Sequence, residues 1–451
     1  RPEPAGPGPR CPAPFDMPAS EPPMSESVER RVLANGVPFL TERLPHLRSV
    51  SLGIWVNTGS RDELPDEWGV SHFLEHTFFK GTERRGAEAI AREADALGAD
   101  LNAFTSREQT AYYIKVLSDR TDEAADLLTD VFTRPTFAPA ELDRERQVVL
   151  EEIHMVEDEP EEWAHDLLSA HAWGPDAPLG RNILGTPESV AGLSAEKIRA
   201  YLRRRYGPGN VVVSAAGNLD PDALFAQVDA TIGRMPVPDL GPAPELPRPA
   251  LTGQPPRLHF RDLEQVHLCV GGRGLSLGHP DRFALYVLND LLGGGSSSRL
   301  FQEIREKRGL AYSVYASLGS YRDCGEMTIY AGASPPSLGE VAQLIEAELV
   351  SLCERPVEAE ELVRVKGHLK GQVVLGLESS FARMSRLAQD ELLWGGPQPI
   401  EVLLDGIEGV DAGAVQRMAR HAFDPASLSA TVLGALTELP RGFLTRCTTP
   451  L

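Results

Sequence analysis

Gly69-Val70-Ser71-His72-Phe73-Leu74-Glu75-His76-Thr77 packs two imidazoles and one carboxylate into five consecutive residues, His72 to His76. On a helix, His72 and His76 lie one above the other on one face, with Glu75 beside them. Two imidazoles so placed can fill two corners of a zinc tetrahedron while the carboxylate reaches the water in an open corner. Val70, Phe73, Leu74, Thr77 and Phe78 supply an apolar face at helical spacing, and Gly81 is the expected stop.

A catalytic zinc keeps three protein ligands and one open position, so the set needs a further carboxylate from a distant element. The segment Asp143-Arg144-Glu145-Arg146-Gln147-Val148-Val149-Leu150-Glu151-Glu152-Ile153 supplies it. Its periodicity is helical; Glu145 and Glu152 are nearly two full turns apart and project from one face, while Glu151 points elsewhere. Glu152 is therefore the expected third ligand, and Glu145 the outer carboxylate that orients an imidazole. Zn2+, one ion per chain, is the expected cofactor.

These motifs are joined by Leu101-Asn102-Ala103-Phe104-Thr105-Ser106-Arg107-Glu108, Pro178-Leu179-Gly180-Arg181-Asn182-Ile183-Leu184-Gly185 and Leu291-Leu292-Gly293-Gly294-Gly295-Ser296-Ser297-Ser298-Arg299-Leu300. Together they resemble the M16 peptidases, the pitrilysin-like inverzincins that include the mitochondrial processing peptidase, its bacterial relatives and insulin-degrading enzyme. The resemblance runs over roughly residues 29 to 435. It implies an α+β fold of two structurally similar domains, a duplicated metallohydrolase fold of the LuxS and processing-peptidase kind. Each domain would be a mainly antiparallel sheet with helices packed on one face.

The resemblance also implies a zinc metalloendopeptidase that cleaves unstructured peptides in an enclosed chamber. Glu75 would take a proton from water and return it to the leaving amine. Arg305 and Tyr312, in Ile304-Arg305-Glu306-Lys307-Arg308-Gly309-Leu310-Ala311-Tyr312, have the spacing of the family's arginine and tyrosine pair and would contact the substrate carbonyl; Arg308 and Tyr315 share that spacing. Asn102, Ala103 and Phe104 would lie on an edge strand that pairs with an extended peptide. Glu162 and Asp166 match the acidic residues that bind arginine near the cleaved bond in the processing peptidase. Longer relatives divide the metal motif and the arginine and tyrosine pair between their first and fourth domains. A chain with two domains is therefore expected to work as a homodimer, each site completed in trans. The alternative is a catalytically silent partner subunit, against which the intact His72, Glu75, His76 and Glu152 count.

The halves read as diverged copies, each opening on a strand, Ser51 to Val56 and His267 to Val270, and each carrying a later helix, around Ala140-Glu141-Leu142 and Glu360-Glu361-Leu362. In the second copy Tyr286, Asn289 and Asp290 fall at the place of the pentapeptide, and Gln372 falls opposite Glu152. Without histidines there, no metal is expected in the second half. The glycine-rich Gly293 to Ser298 run lacks the lysine of a phosphate loop and is expected to be a flexible turn.

At 451 residues the chain exceeds one hydrophobic core. The expected division is a disordered proline-rich tail (1–28), a catalytic zinc-binding domain (29–234), a proline-rich linker (235–256) and a homologous non-metal domain (257–451). The chain opens on Arg1, and Met24 opens the folded-looking part, so some of the tail is expected to be a start-site artefact. A formal net charge of -21 argues against nucleic acid and anionic membrane as partners and suits a basic peptide substrate. Five scattered cysteines fit a reducing compartment, and with neither a membrane-length apolar run nor a secretory signal the expected location is cytoplasmic.

Overall fold

The structure, a computed structural model, describes residues 28–237 and 249–444. The expected disordered tail, apart from Val28, and the middle of the linker lie outside the described residues. In the first half the strands are β1 (Val28–Val32), β2 (Pro38–Arg43), β3 (Ser49–Val56), β4 (Asp100–Thr105), β5 (Thr110–Leu117) and β6 (Val211–Gly217). They form one sheet in the order β1-β2-β6-β3-β5-β4, antiparallel except for the β2 and β6 pair. The second half has β7 (Arg257–Phe260), β8 (Val266–Arg273), β9 (Ala311–Ser320), β10 (Gly325–Ala333) and β11 (Ser429–Gly434). Their order is β7-β11-β8-β10-β9, antiparallel except for β7 and β11. Laying these five strands on β2, β6, β3, β5 and β4 reproduces every neighbour and every direction. The chain has run the same path twice.

The first half carries helices α1 (Val70–Phe78), α2 (Ala87–Leu97), α3 (Thr121–Thr133), α4 (Pro139–Asp158), α5 (Pro160–Trp173), α6 (Pro187–Ala191), α7 (Ala195–Arg205) and α8 (Pro221–Asp229). The second carries α9 (Arg282–Gly293), α10 (Leu338–Glu354), α11 (Ala359–Gly376), α12 (Ser380–Trp394), α13 (Ile400–Glu408) and α14 (Ala412–Ala422). A six-residue π-helix, Phe301–Glu306, follows the glycine-rich run. The helical layer packs on one face of each sheet: Leu52, Ile54, Val56 and Val213 share a core with Phe73, Leu74, Phe78 and Leu128.

The strands β3 and β6 bury almost every residue, a pattern that needs cover on both faces. The second cover is exchanged between the halves. From the second half, α12 lays Met384, Leu387 and Ala388 on Leu40, Trp55, Val212 and Ala216. From the first, α5 lays Ala164 and Leu168 on Cys269, Tyr330 and Leu433. Burial of Met384 or Leu387 contributes about 1.5–3 kcal/mol each. Glycine makes room at both crossings: a Cβ on Gly53 would lie 3.0 Å from Met384 Sδ, and one on Gly271 would lie 3.1 Å from Leu168 Cδ2. No helix among the described residues is long and apolar enough to cross a membrane.

Candidate metal centre

Helix α1 begins without a capping side chain of its own, because its N-cap is Gly69 at φ 91°. Glu63, from the loop before it, accepts the backbone N–H groups of Gly69 and Ser71, each at 2.8 Å. Burial pushes the Glu63 carboxyl up to about 8, against the pull of those two amides and of Arg181. A Cβ on Gly69 would lie 2.6 Å from the Leu184 carbonyl oxygen, so the loop through Gly185 can press against the helix start only because glycine stands there. Arg181 Nη2 donates to the Glu63 carbonyl, and Trp68 Nε1 to that of Asn182. The Pro178 to Gly185 motif thus braces the entry to α1. The helix ends at Phe78; Gly81, the expected stop, lies beyond it at φ 128° in an isolated antiparallel bridge to Gly86.

Val70, Phe73, Leu74, Thr77 and Phe78 are all buried against the core, and α1 also carries His72, buried, with Glu75 and His76, half-buried. On α4, which packs against it, Leu142, Glu145, Val149 and Ile153 are buried. This packing brings Glu152 Oε2 to 3.5 Å from His72 Nε2 and 3.2 Å from His76 Nε2. The three donor atoms lie within 4.8 Å of one another, the sole such group of three or more histidine, cysteine or acidic side chains among the described residues. Glu145 Oε2 stands 3.5 Å from His76 Nδ1, and its other oxygen 3.0 Å from Lys80 Nζ. Glu151 is exposed, as its helical phase requires.

The electrostatics suit a dication. The imidazoles, His72 first, hold the Glu152 carboxyl well below the usual carboxylate range. Burial pulls His76 down, but Glu152, Glu75 and Glu145 outweigh it and hold the imidazole above its ordinary value. Half-buried Glu75 makes no hydrogen bond or ion pair among the described residues. Two imidazoles and a carboxylate oxygen converging with further carboxylates behind them are the donor set zinc takes, and they fit it. Among the described residues His72 Nδ1 is buried without a hydrogen-bond partner.

The remaining candidates are placed as follows. Asn102, Ala103 and Phe104 lie on β4, an edge strand that, among the described residues, pairs with β5 alone. Ala103 is buried, Phe104 packs edge-on against Trp55, and the Asn102 side-chain oxygen accepts the Ala103 N–H at 2.8 Å. The backbone of this strand, more than its side chains, is what remains on offer. Glu162 and Asp166 share α5, the first exposed and the second half-buried. Burial pushes the Asp166 carboxyl up to about 6, with Arg107 opposing and Glu162 adding to the rise. Arg107 itself is tied to the Arg181 carbonyl and Ser169 Oγ.

Arg305, in the π-helix, lies over the rings of Phe301 and Tyr312 at 4.8 and 4.9 Å. Tyr312, on the edge strand β9, is 78% exposed. Arg308 instead pairs with Glu303, while Tyr315 donates to Glu161 and meets His165 Nε2 at 2.9 Å, so the second pair of like spacing is split apart. Among the described residues no hydrogen bond, ion pair or ring contact joins Arg305 or Tyr312 to the cluster on α1 and α4.

In the second half, α9 and α11 repeat α1 and α4. Here sequence reasoning passed over one imidazole: His368 Nδ1 lies 3.0 Å from Asp290 Oδ2, and its Nε2 lies 3.3 Å from Gln372 Nε2. It does not complete a metal-ligating group among the described residues. Glu63 and Lys80 were also missed. Glu63 gave no local signal, whereas Lys80 stands four residues after His76 and could have been noticed.

Residues 39–187 match the family described as Insulinase (Peptidase family M16), and residues 192–369 the one described as Peptidase M16 inactive domain. A Bacillus subtilis protein named as an uncharacterized zinc protease is 41% identical over 396 residues, 88% of this chain and 96% of that one. The chain belongs to the M16 peptidase family. A Streptomyces coelicolor relative with the same kind of name is 40% identical over 417 residues, covering 91% of this chain and 90% of its own. The fold is shared with a crystal structure of a protease from Helicobacter pylori, with a TM-score of 0.84 at 23% identity over 90% of this chain and 99% of that one.

Proposed function

We propose that this family member is a zinc-dependent endopeptidase holding one zinc ion per chain through His72, His76 and Glu152. The observation that carries the reading is the convergence of those three donors within 4.8 Å beside a carboxylate, Glu75, that makes no hydrogen bond or ion pair among the described residues. Zinc bound there supplies Lewis acidity, which acidifies a water and polarises a carbonyl. Glu75 takes the proton of that water and hands it to the leaving amine. Glu145 holds the His76 ring from behind. The edge of β4 aligns an extended peptide by main-chain pairing, the bound strand taking over the N–H that Asn102 covers.

The active unit is a homodimer in which Arg305 and Tyr312 of one subunit complete the metal centre of the other, giving the developing oxyanion its donors. What supports this is the stacking of half-buried Arg305 on the exposed Tyr312 ring and, among the described residues, the lack of any contact between the pair and the cluster of their own chain. Glu162 and Asp166 would favour a basic residue near the cleaved bond.

Glu75→Gln tests the reading. The amide cannot act as base, so hydrolysis of an unstructured peptide should fall about 10²–10⁴-fold, while metal analysis still finds one zinc per chain. Near-normal turnover in that variant would remove Glu75 from the role given to it.

A further inference from the structure

We infer that Lys80 is a positioning residue for the metal centre, acting through Glu145 on His76; this rests on the zinc site proposed above. Glu145 is 5% exposed, and a carboxylate so buried needs a cationic or hydrogen-bonding partner. It has two. His76 Nδ1 faces one oxygen at 3.5 Å, and Lys80 Nζ faces the other at 3.0 Å. An imidazole that ligates a metal through Nε2 is neutral and carries its hydrogen on Nδ1, so the full positive charge on Glu145 is left to Lys80. The ammonium, held just past the end of α1, fixes the carboxylate, and the carboxylate fixes the ring orientation and the tautomer that leaves Nε2 free to bind.

The support is one-sided, which makes it matter. Among the described residues His72 Nδ1 is buried with no hydrogen-bond partner, so the arm through Glu145 is the one carboxylate there standing behind either imidazole. Lys80 retains 35% side-chain exposure, so a replacement there meets solvent on one side and can be accommodated without repacking the core.

The test measures zinc affinity of the full-length chain by competition with a chromophoric chelator, using zinc alone and no substrate. Lys80→Met should weaken zinc about tenfold, at the low end of what outer partners of ligands contribute. Lys80→Arg, which keeps the charge on Glu145, should restore most of the loss. Glu145→Gln should weaken zinc by about 10–100-fold, and Lys80→Met added to it should cost nothing further, since the path through Glu145 is already cut. Unchanged affinity in Lys80→Met overturns the proposal, and so does a loss that Lys80→Arg fails to restore or that adds in full to that of Glu145→Gln. A wild-type chain that takes up no zinc overturns the zinc site itself, a separate outcome from wild-type binding that Lys80→Met leaves intact.

Discussion

Replacing Arg61 with methionine tests how the two halves are held in register. The turn between β9 and β10 inserts Arg322 and Asp323 into the first half, where Arg61 Nη1 donates to Glu108 Oε1 at 2.5 Å and Nη2 to Asp323 Oδ2 at 2.7 Å. Arg322 Nη2 donates to Asp62 Oδ1 at 2.7 Å, its backbone N–H donates to Glu108 Oε2 at 2.9 Å, and Arg205 reaches the Asp62 carbonyl at 3.0 Å. Three arginines and three carboxylates therefore alternate across the joint. Arg61 side-chain exposure is 6% and that of Glu108 is 12%, whereas Asp323 is 42% exposed. Breaking a buried pair by removing one partner costs about 3–5 kcal/mol, but two features reduce that here. Asp323 can return to water, so its half is worth about 0–1 kcal/mol. Glu108 keeps Arg322.

The expected cost is about 2–3 kcal/mol, a fall of about 5–10 °C in the thermal midpoint for a unit of this size. The sign of its pH dependence follows from Glu108. Burial already holds that carboxyl above its usual range, against the pull of Arg322 and Arg61. Loss of Arg61 raises it further, and a folded-state value above the unfolded one means stability present at low pH and lost as pH rises through the folded value. The deficit of the variant should thus be smaller at pH 5 than at pH 8. Parallel melts of wild type, Arg61→Met, Glu108→Gln and the double variant measure both the deficit and the coupling. A midpoint within about 1 °C of wild type at pH 8, well inside the shift expected for 1 kcal/mol, would show that the joint is held by the exchanged helices alone.

Three further outcomes are expected. Met384→Ala, which truncates a fully buried side chain of the exchanged α12, should cost about 2–5 kcal/mol in thermal or denaturant unfolding; a loss below 1 kcal/mol would mean that α12 is not needed over the first sheet. The proposed preference for arginine near the cleaved bond should fade between pH 7 and pH 5, since a group titrating near 6 passes from about 90% to about 10% ionised, and Arg107→Ser, which removes the cation that opposes the rise of the Asp166 carboxyl, should move that fading to higher pH. A flat ratio of arginine to neutral cleavage across that range would return Asp166 to an ordinary helix acid. Mixing inactive His72→Ala and Arg305→Ala chains should restore activity, up to about half per mixed dimer; no recovery despite demonstrated subunit exchange would place the arginine in its own chain's site or outside catalysis.

What the sequence disclosed was whatever repeats at helical spacing. His72, Glu75 and His76 are local, and Glu145 and Glu152 share a face by their separation alone, so the cluster was legible once both segments read as helices. The cap from Glu63 was not, because its partners are two backbone amides and amides carry no residue type. The joint through Arg61 and Asp323 spans a separation of 262 residues with ordinary surface charges at each end, and no periodicity links them.

The exchanged helices are a different case, since the pattern was present and its meaning was missed. On α5, Glu162 and Asp166 are four apart and stood out as a carboxylate pair. Ala164 and Leu168 repeat the same spacing two residues later, a rotation of about 200° on a helix of 3.6 residues per turn. A helix with acids on one side and buried apolar residues on the other must find an apolar surface to cover. That surface is β8 and β11 of the second half. The same α5 therefore carries the candidate specificity acids on one side and part of the joint between the halves on the other, so loosening the joint should disturb substrate preference as well as stability.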